Sequence, residues 1–164
     1  MNRLRWALLP LTAFLADWAS KAWILSILPR EGASRPVIPG FFSLTLGYNK
    51  GAIFGSLHTA PDWLRTGLFT VAGLAALWYF GREFFAEATP RLERIALGLI
   101  LGGAAGNGLD RLLRGHVVDF LDFVFGGWHY WTFNIADSCI VVGGILFGWG
   151  LLFGKKAEAA QPAE

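Results

Sequence analysis

The chain has 164 residues, of which 54% are apolar and another 21 are glycine, whereas soluble domains run at roughly 45–50% for the two groups together. Only 16% are charged, where about 25% is ordinary. A soluble domain of this length buries about 70% of its unfolded surface, so much of the apolar excess would face water, and a soluble globular protein is excluded. Eight Trp and fourteen Phe with so little charge exclude disorder. A net charge of +2 gives no footing for nucleic acid, and one cysteine permits no internal disulfide.

A membrane helix needs about 20 mostly apolar residues to cross a hydrocarbon core of about 30 Å. Four segments qualify in chain order: residues 6–28, 63–80, 95–113 and 133–153. The expected fold is therefore an α-helical integral membrane protein with four transmembrane helices, a single membrane domain over 1–164. The Ala/Glu-rich tail over 157–164 reads as disordered. Arg3 and Arg5 before an apolar run resemble the start of a secretory signal peptide, but no A-x-A site follows and apolar character resumes past Asp17 and Lys21. The segment therefore reads as a retained span.

Between the first two segments, Phe41-Phe42-Ser43-Leu44-Thr45-Leu46-Gly47-Tyr48 alternates like a strand, and Asn49-Lys50-Gly51 reads as a turn. This predicts a small β element over 36–56 on the outer side. Orientation follows from lysine and arginine in the flanks. With both termini in the cytoplasm, Arg3, Arg5, Arg82, Arg91, Arg94, Lys155 and Lys156 lie inside, against Arg30, Arg35, Lys50, Arg111 and Arg114 outside. Trp63, Trp128, Tyr130 and Trp131 then fall near the outer interface, where such rings are enriched.

Ionisable groups inside spans cost at least about 2.5–3.5 kcal/mol each at the centre and mark function by default. Here they converge. Asp17 and Lys21, four residues apart on one helical face, sit in the outer half of the first span. Asn107, Asp110 and Arg111 end the third, and Asn134 with Asp137 opens the fourth. Between them, Val117-Val118-Asp119-Phe120-Leu121-Asp122-Phe123 carries two more carboxylates. Segments far apart in sequence thus deliver polar residues to one depth.

Two aspartates held close do not both ionise easily, so one keeps a proton while the other acts as base, an arrangement that activates water at a peptide carbonyl. Composition leaves open which two of Asp110, Asp119, Asp122 and Asp137 pair. Asp110 before Arg111 reads as part of an ion-pair network, and Asp122 as a solvated loop charge. Asp17 with Lys21 reads as a neutralised pair that pins the first helix. His58, His116 and His129 stand singly, without H-E-x-x-H, so zinc chemistry is not expected. Ser20 and Lys21 are adjacent on a helix and point about 100° apart, against a Ser–Lys dyad. Cys139 reads as a small buried residue. The glycine-rich run over 102–108 suits close helix packing and, with no Gly-Lys-Ser/Thr, is not a phosphate loop.

Five motifs then carry a resemblance. Asp17-Trp18-Ala19-Ser20-Lys21 resembles D-x-x-S/T-K, and Asn49-Lys50-Gly51-Ala52-Ile53-Phe54 resembles N-x-G-A-A-F with Ile53 in place of alanine. Gly106-Asn107-Gly108-Leu109-Asp110-Arg111 resembles G-N-x-x-D-R, Val117-Val118-Asp119-Phe120 matches V-V-D-F, and Phe133-Asn134-Ile135-Ala136-Asp137-Ser138 matches F-N-x-A-D-S. In this order the sequence resembles the lipoprotein signal peptidases, the type II signal peptidases of bacteria, over nearly its whole length.

The resemblance implies an aspartyl endopeptidase of the bacterial inner membrane that cleaves prolipoproteins before a cysteine bearing a diacylglyceryl group. It places the catalytic dyad on Asp119 and Asp137. Asn107, Arg111 and Asn134 match positioning residues, Asp17, Lys21 and Asn49 match supporting ones, and Asp110 falls within the same G-N-x-x-D-R motif. No metal or organic cofactor is expected. The partners are lipid-modified precursors and membrane lipids, with the chain acting as a monomer. The competing reading, a small transporter or channel subunit, would spread polar residues through the whole bilayer depth. A third, an assembly factor, would use the small-residue faces to bind other helices.

Overall fold

The structure is a computed structural model that describes residues 3–51 and 61–154. The elements are α1 (Arg3–Ile27), β1 (Ser34–Ile38), β2 (Phe42–Asn49), α2 (Asp62–Phe85), α3 (Arg91–Arg114), β3 (Val117–Phe125), β4 (Trp128–His129) and α4 (Ile135–Trp149), the last continued by a π turn at Gly150–Gly154. The four segments expected to be helical are helical, with ends shifted by a few residues. The expected tail over 157–164 and the Ala52-Ile53-Phe54 part of the loop motif lie outside the described residues.

α3 is the central helix and packs against α1, α2 and α4. Its glycines set the spacing. A Cβ on Gly103 would collide with the Ala136 carbonyl and with Ile140 of α4, and one on Gly106 would collide with the Asp17 carboxylate of α1. Small residues at such crossings let helix backbones approach closely. α3 ends at Gly115, whose φ of +74° is a left-handed cap, and its N–H returns to the Arg111 carbonyl at 3.0 Å. That turn leads directly into β3.

The strands form one antiparallel sheet in the order β1-β2-β3-β4. The alternation seen over Phe41–Tyr48 accounts for β2. Its principal partner, β3, comes from the segment that carries Asp119 and Asp122, for which the sequence alone predicted no strand. Ile24 and Leu28 at the end of α1 pack with Leu44, Leu46, Val118 and Phe120, and this apolar cluster holds the sheet on the helices. The β2–β3 ladder is irregular between the Leu44–Leu121 and Gly47–Asp119 pairs, a bulge that re-aims the strand just where Asp119 emerges.

The expectation of a helical chain with a small sheet is met, and that of four spans is met in length alone. At 1.5 Å per residue, α1, α2 and α3 are each about 36 Å long, enough to cross a bilayer. Yet among the described residues the one segment apolar enough throughout is Ile135–Phe153, with a mean hydropathy of 1.9. Asp17 and Lys21 interrupt α1, Arg82 and Glu83 interrupt α2, and Asp110, Arg111 and Arg114 interrupt α3.

Candidate active site

The polar residues converge where the end of α3, the start of α4, the body of α1 and β3 meet. Asn134 is the N-cap of α4. Its side-chain oxygen accepts from the Asp137 N–H at 2.8 Å, and the Asp137 carboxylate accepts from the Asn134 N–H at 3.2 Å, a reciprocal capping box. The F-N-x-A-D run is thus the signal of a helix start, and that start places Asp137 at the N-terminal end of α4. Beside it, the Ala136 N–H donates to Asp17 at 2.9 Å, tying α1 to the same turn.

The Asn134 amide nitrogen donates to Asp119 at 2.6 Å and lies 3.3 Å from the Val118 carbonyl, which fixes the strand to the helix. Asn107 donates to Asp137 at 2.7 Å. Asp119 is buried, Asp137 half-buried, and the two carboxylates hang from one pair of linked amides. Burial pushes the Asp119 carboxyl up to about 7, and the nearby Asp137 charge adds to the rise. Hydrogen bonds from Asn49 and Asn134 and the charge of Lys21 act in the opposite direction. Asp119 therefore holds a proton near neutrality.

Behind this pair lies an ionic layer. Lys21 reaches Asp17 at 2.7 Å, Asp110 at 2.9 Å and Asn107 at 3.0 Å, all within the protein interior. Asp110 also accepts from Arg114 and from the Val118 N–H at 3.1 Å. Asp110 is thus the network residue the sequence suggested. Asp17 and Lys21 do form a pair, but a pair that belongs to this larger network and touches the site through Asn107. Asn49 turns into Gly51 through a 2.8 Å bond and meets Asp119 with its side chain. Arg111 lies with its guanidinium 5.2 Å from the centre of the Phe69 ring and donates to the Asn107 carbonyl at 3.3 Å.

Asp137, Asn107 and Arg111 edge a cavity of about 730 Å³ between the helices, whose other walls, among them Phe69, Leu74 and Leu77 of α2, are apolar apart from Thr70. No pattern in the sequence pointed to this cavity, because it is made by helices crossing. Asp122, read as a solvated loop charge, is instead buried on β3. It accepts from Thr45 at 2.8 Å and contacts His129 at 3.0 Å, and Thr45 in turn meets Ser34 at 2.8 Å. The burial of β3 against β2 and the fold-back at Gly126 and Gly127 enclose it. Cys139 is half-buried and Ser20 donates to the Asp17 carbonyl at 2.8 Å.

The family profile described as signal peptidase (SPase) II matches residues 9–153. The chain belongs to the signal peptidase II family. The lipoprotein signal peptidase of Burkholderia vietnamiensis is 46% identical over 141 residues, covering 86% of this chain and 83% of the relative. That of Burkholderia multivorans is 45% identical over the same shares. A solved bacterial membrane enzyme superposes with a TM-score of 0.81 at 29% identity, over 98% of this chain and 94% of its own. A second gives 0.72 at 33% identity, over 90% and 92%. Membership of a peptidase family sets aside the transporter and assembly-factor readings, and the motifs that suggested the family are those that build the site.

Proposed function

We propose that the chain is an endopeptidase that removes signal peptides from lipid-modified precursors at the outer face of the bacterial inner membrane, with Asp119 and Asp137 as its catalytic pair. The supporting observation is two carboxylates joined through Asn134 and Asn107, of which Asp137 lines a largely apolar cavity and Asp119 keeps its proton to about pH 7. Such a pair supplies an acid and a base together.

Asp137, which accepts N–H donors from Asn107 and Asn134, takes a proton from water as the water oxygen bonds to the scissile carbonyl carbon. Asp119 gives its proton to the carbonyl oxygen, producing a neutral tetrahedral diol. In collapse, Asp137 returns its proton to the leaving nitrogen as the carbon–nitrogen bond breaks, and Asp119 takes one from a diol hydroxyl. Both carboxyl groups end as they began. Asn49 and Asn134 orient Asp119, and Arg111 at the cavity mouth holds substrate oxygen atoms. No metal or organic cofactor enters these steps.

In this reading all four helices cross the bilayer, both termini are cytoplasmic, and the sheet lies at the outer surface. The outward apolar faces support it: Leu11 and Leu15 on α1, Val71 and Trp78 on α2, and Val141 and Ile145 on α4 are all exposed. A soluble bundle does not leave such belts to water. Asp17 and Lys21 of α1 and Asp110 of α3 are buried against one another, so they cost the bilayer little. Incubating the purified protein with a lipid-modified precursor and its unmodified counterpart tests the function. Cleavage of the modified form alone is expected, and equal cleavage of both, or of neither, would overturn the reading.

A further inference from the structure

Lys21 takes no part in these steps, yet it is buried to 2% exposure beside the pair that does. An ammonium group is a donor only, so whatever faces it must be an acceptor. Asn107 faces it with Oδ1 at 3.0 Å and therefore turns its NH₂ toward Asp137, 2.7 Å away. Reversing that amide would set NH₂ against the ammonium and oxygen against a carboxylate, replacing two attractions with two repulsions in a buried setting. The same Asn107 oxygen also accepts from Asn134 at 3.1 Å. Asn134 is thereby oriented too, its NH₂ toward Asp119 and its oxygen toward the Asp137 N–H. A single polarity runs from Lys21 through two amides to both carboxylates.

We propose that Lys21 is a positioning residue for peptide hydrolysis, whose ammonium fixes Asn107, and through it Asn134, so that an amide N–H points at each catalytic carboxylate. The inference rests on the catalytic pair proposed above. The other charges facing this network are Asp17 on α1, Asp110, Arg111 and Arg114 on α3, Asp119 on β3 and Asp137 on α4. The competing role for Lys21 is simple neutralisation of Asp17 and Asp110.

Lys21→Met alone would strand a buried carboxylate, so the decisive comparison is Asp17→Asn against the double variant Asp17→Asn with Lys21→Met. Asp110 keeps Arg114 and the Val118 N–H in both. The full-length protein in detergent, with a lipid-modified precursor, supplies kcat, KM and the thermal unfolding midpoint. The double variant is expected to fold, to lose at least about tenfold in kcat relative to Asp17→Asn, and to keep KM within about twofold. Equal kcat in the two variants, a loss confined to KM, or unfolding of the double variant alone would each overturn the proposal. Asp119→Asn and Asp137→Asn, assayed alongside, separate the two claims: if those retain activity the catalytic pair itself is wrong, whereas if only the double variant matches its control the pair stands and the role of Lys21 falls.

Discussion

Asp119 and Asp122 lie three residues apart on one strand, both buried, and their surroundings could hardly differ more. Asp122 is met by the Thr45 hydroxyl and by the His129 ring, a donor and a potential cation, and among the described residues no second carboxylate touches it. Asp119 is met by the amides of Asn49 and Asn134 and faces Asp137 across the Asn134–Asn107 bridge. A buried carboxylate given its own donors and a partner able to carry charge is a fastening. One that must share its setting with a second carboxylate, beside an open cavity, keeps a proton it can give away.

Substitution at the two positions breaks or sharpens that contrast most strongly. Asp119→Asn is expected to lower the cleavage rate of a lipid-modified precursor by about a thousandfold or more, since it removes the group that donates to the carbonyl oxygen. Asp122→Asn, which keeps an oxygen for Thr45, is expected to stay within about threefold of the parent rate and to cost about 1 kcal/mol in stability, read by thermal unfolding. Comparable rate losses at the two positions would erase the distinction.

Gly103→Leu comes next. The added side chain would drive into the Ala136 carbonyl and Ile140, and overpacking of that kind costs about 1–3 kcal/mol. Because the same crossing sets Asn107 beside Asn134, the unfolding midpoint and the cleavage rate should fall together, whereas Gly144→Ala on α4, where a Cβ meets nothing within 4 Å, should change neither much. Asn49→Ala is subtler. Asn49 favours the ionised form of Asp119, so its loss raises the Asp119 pKa further, and the high-pH fall in kcat/KM should move to higher pH. His129→Ala should be smallest, no more than about 1 kcal/mol in denaturant unfolding, because the ring is mostly exposed.

Much of this was legible in the sequence because helix starts and long apolar runs leave local marks. Asn134 and Asp137 were legible at the start of the fourth apolar run, though not as the capping box they form, and Asp17 with Lys21 as an i, i+4 pair. What connects them was not legible. The contact between Lys21 and Asn107 joins residues 86 apart, and nothing local encodes it. The fate of Asp122 was misjudged for a related reason: a carboxylate in a short apolar stretch looks solvated until the strand beside it, β2, is known to supply a hydroxyl. The same limit applied to the cavity, whose walls come from separate helices, and to the helices themselves, where charges that look costly along the chain are paired across it.

The pH dependence of kcat/KM, measured from pH 5 to 9 with a lipid-modified precursor held well below saturation, bears most directly on the claim that Asp119 is the proton-holding partner of Asp137. Its acid form is the active one and its carboxyl titrates at about 7, so activity should be present below that pH and fall as the proton is lost above it. A rate that stays level or climbs from pH 6 to pH 9 would contradict the account.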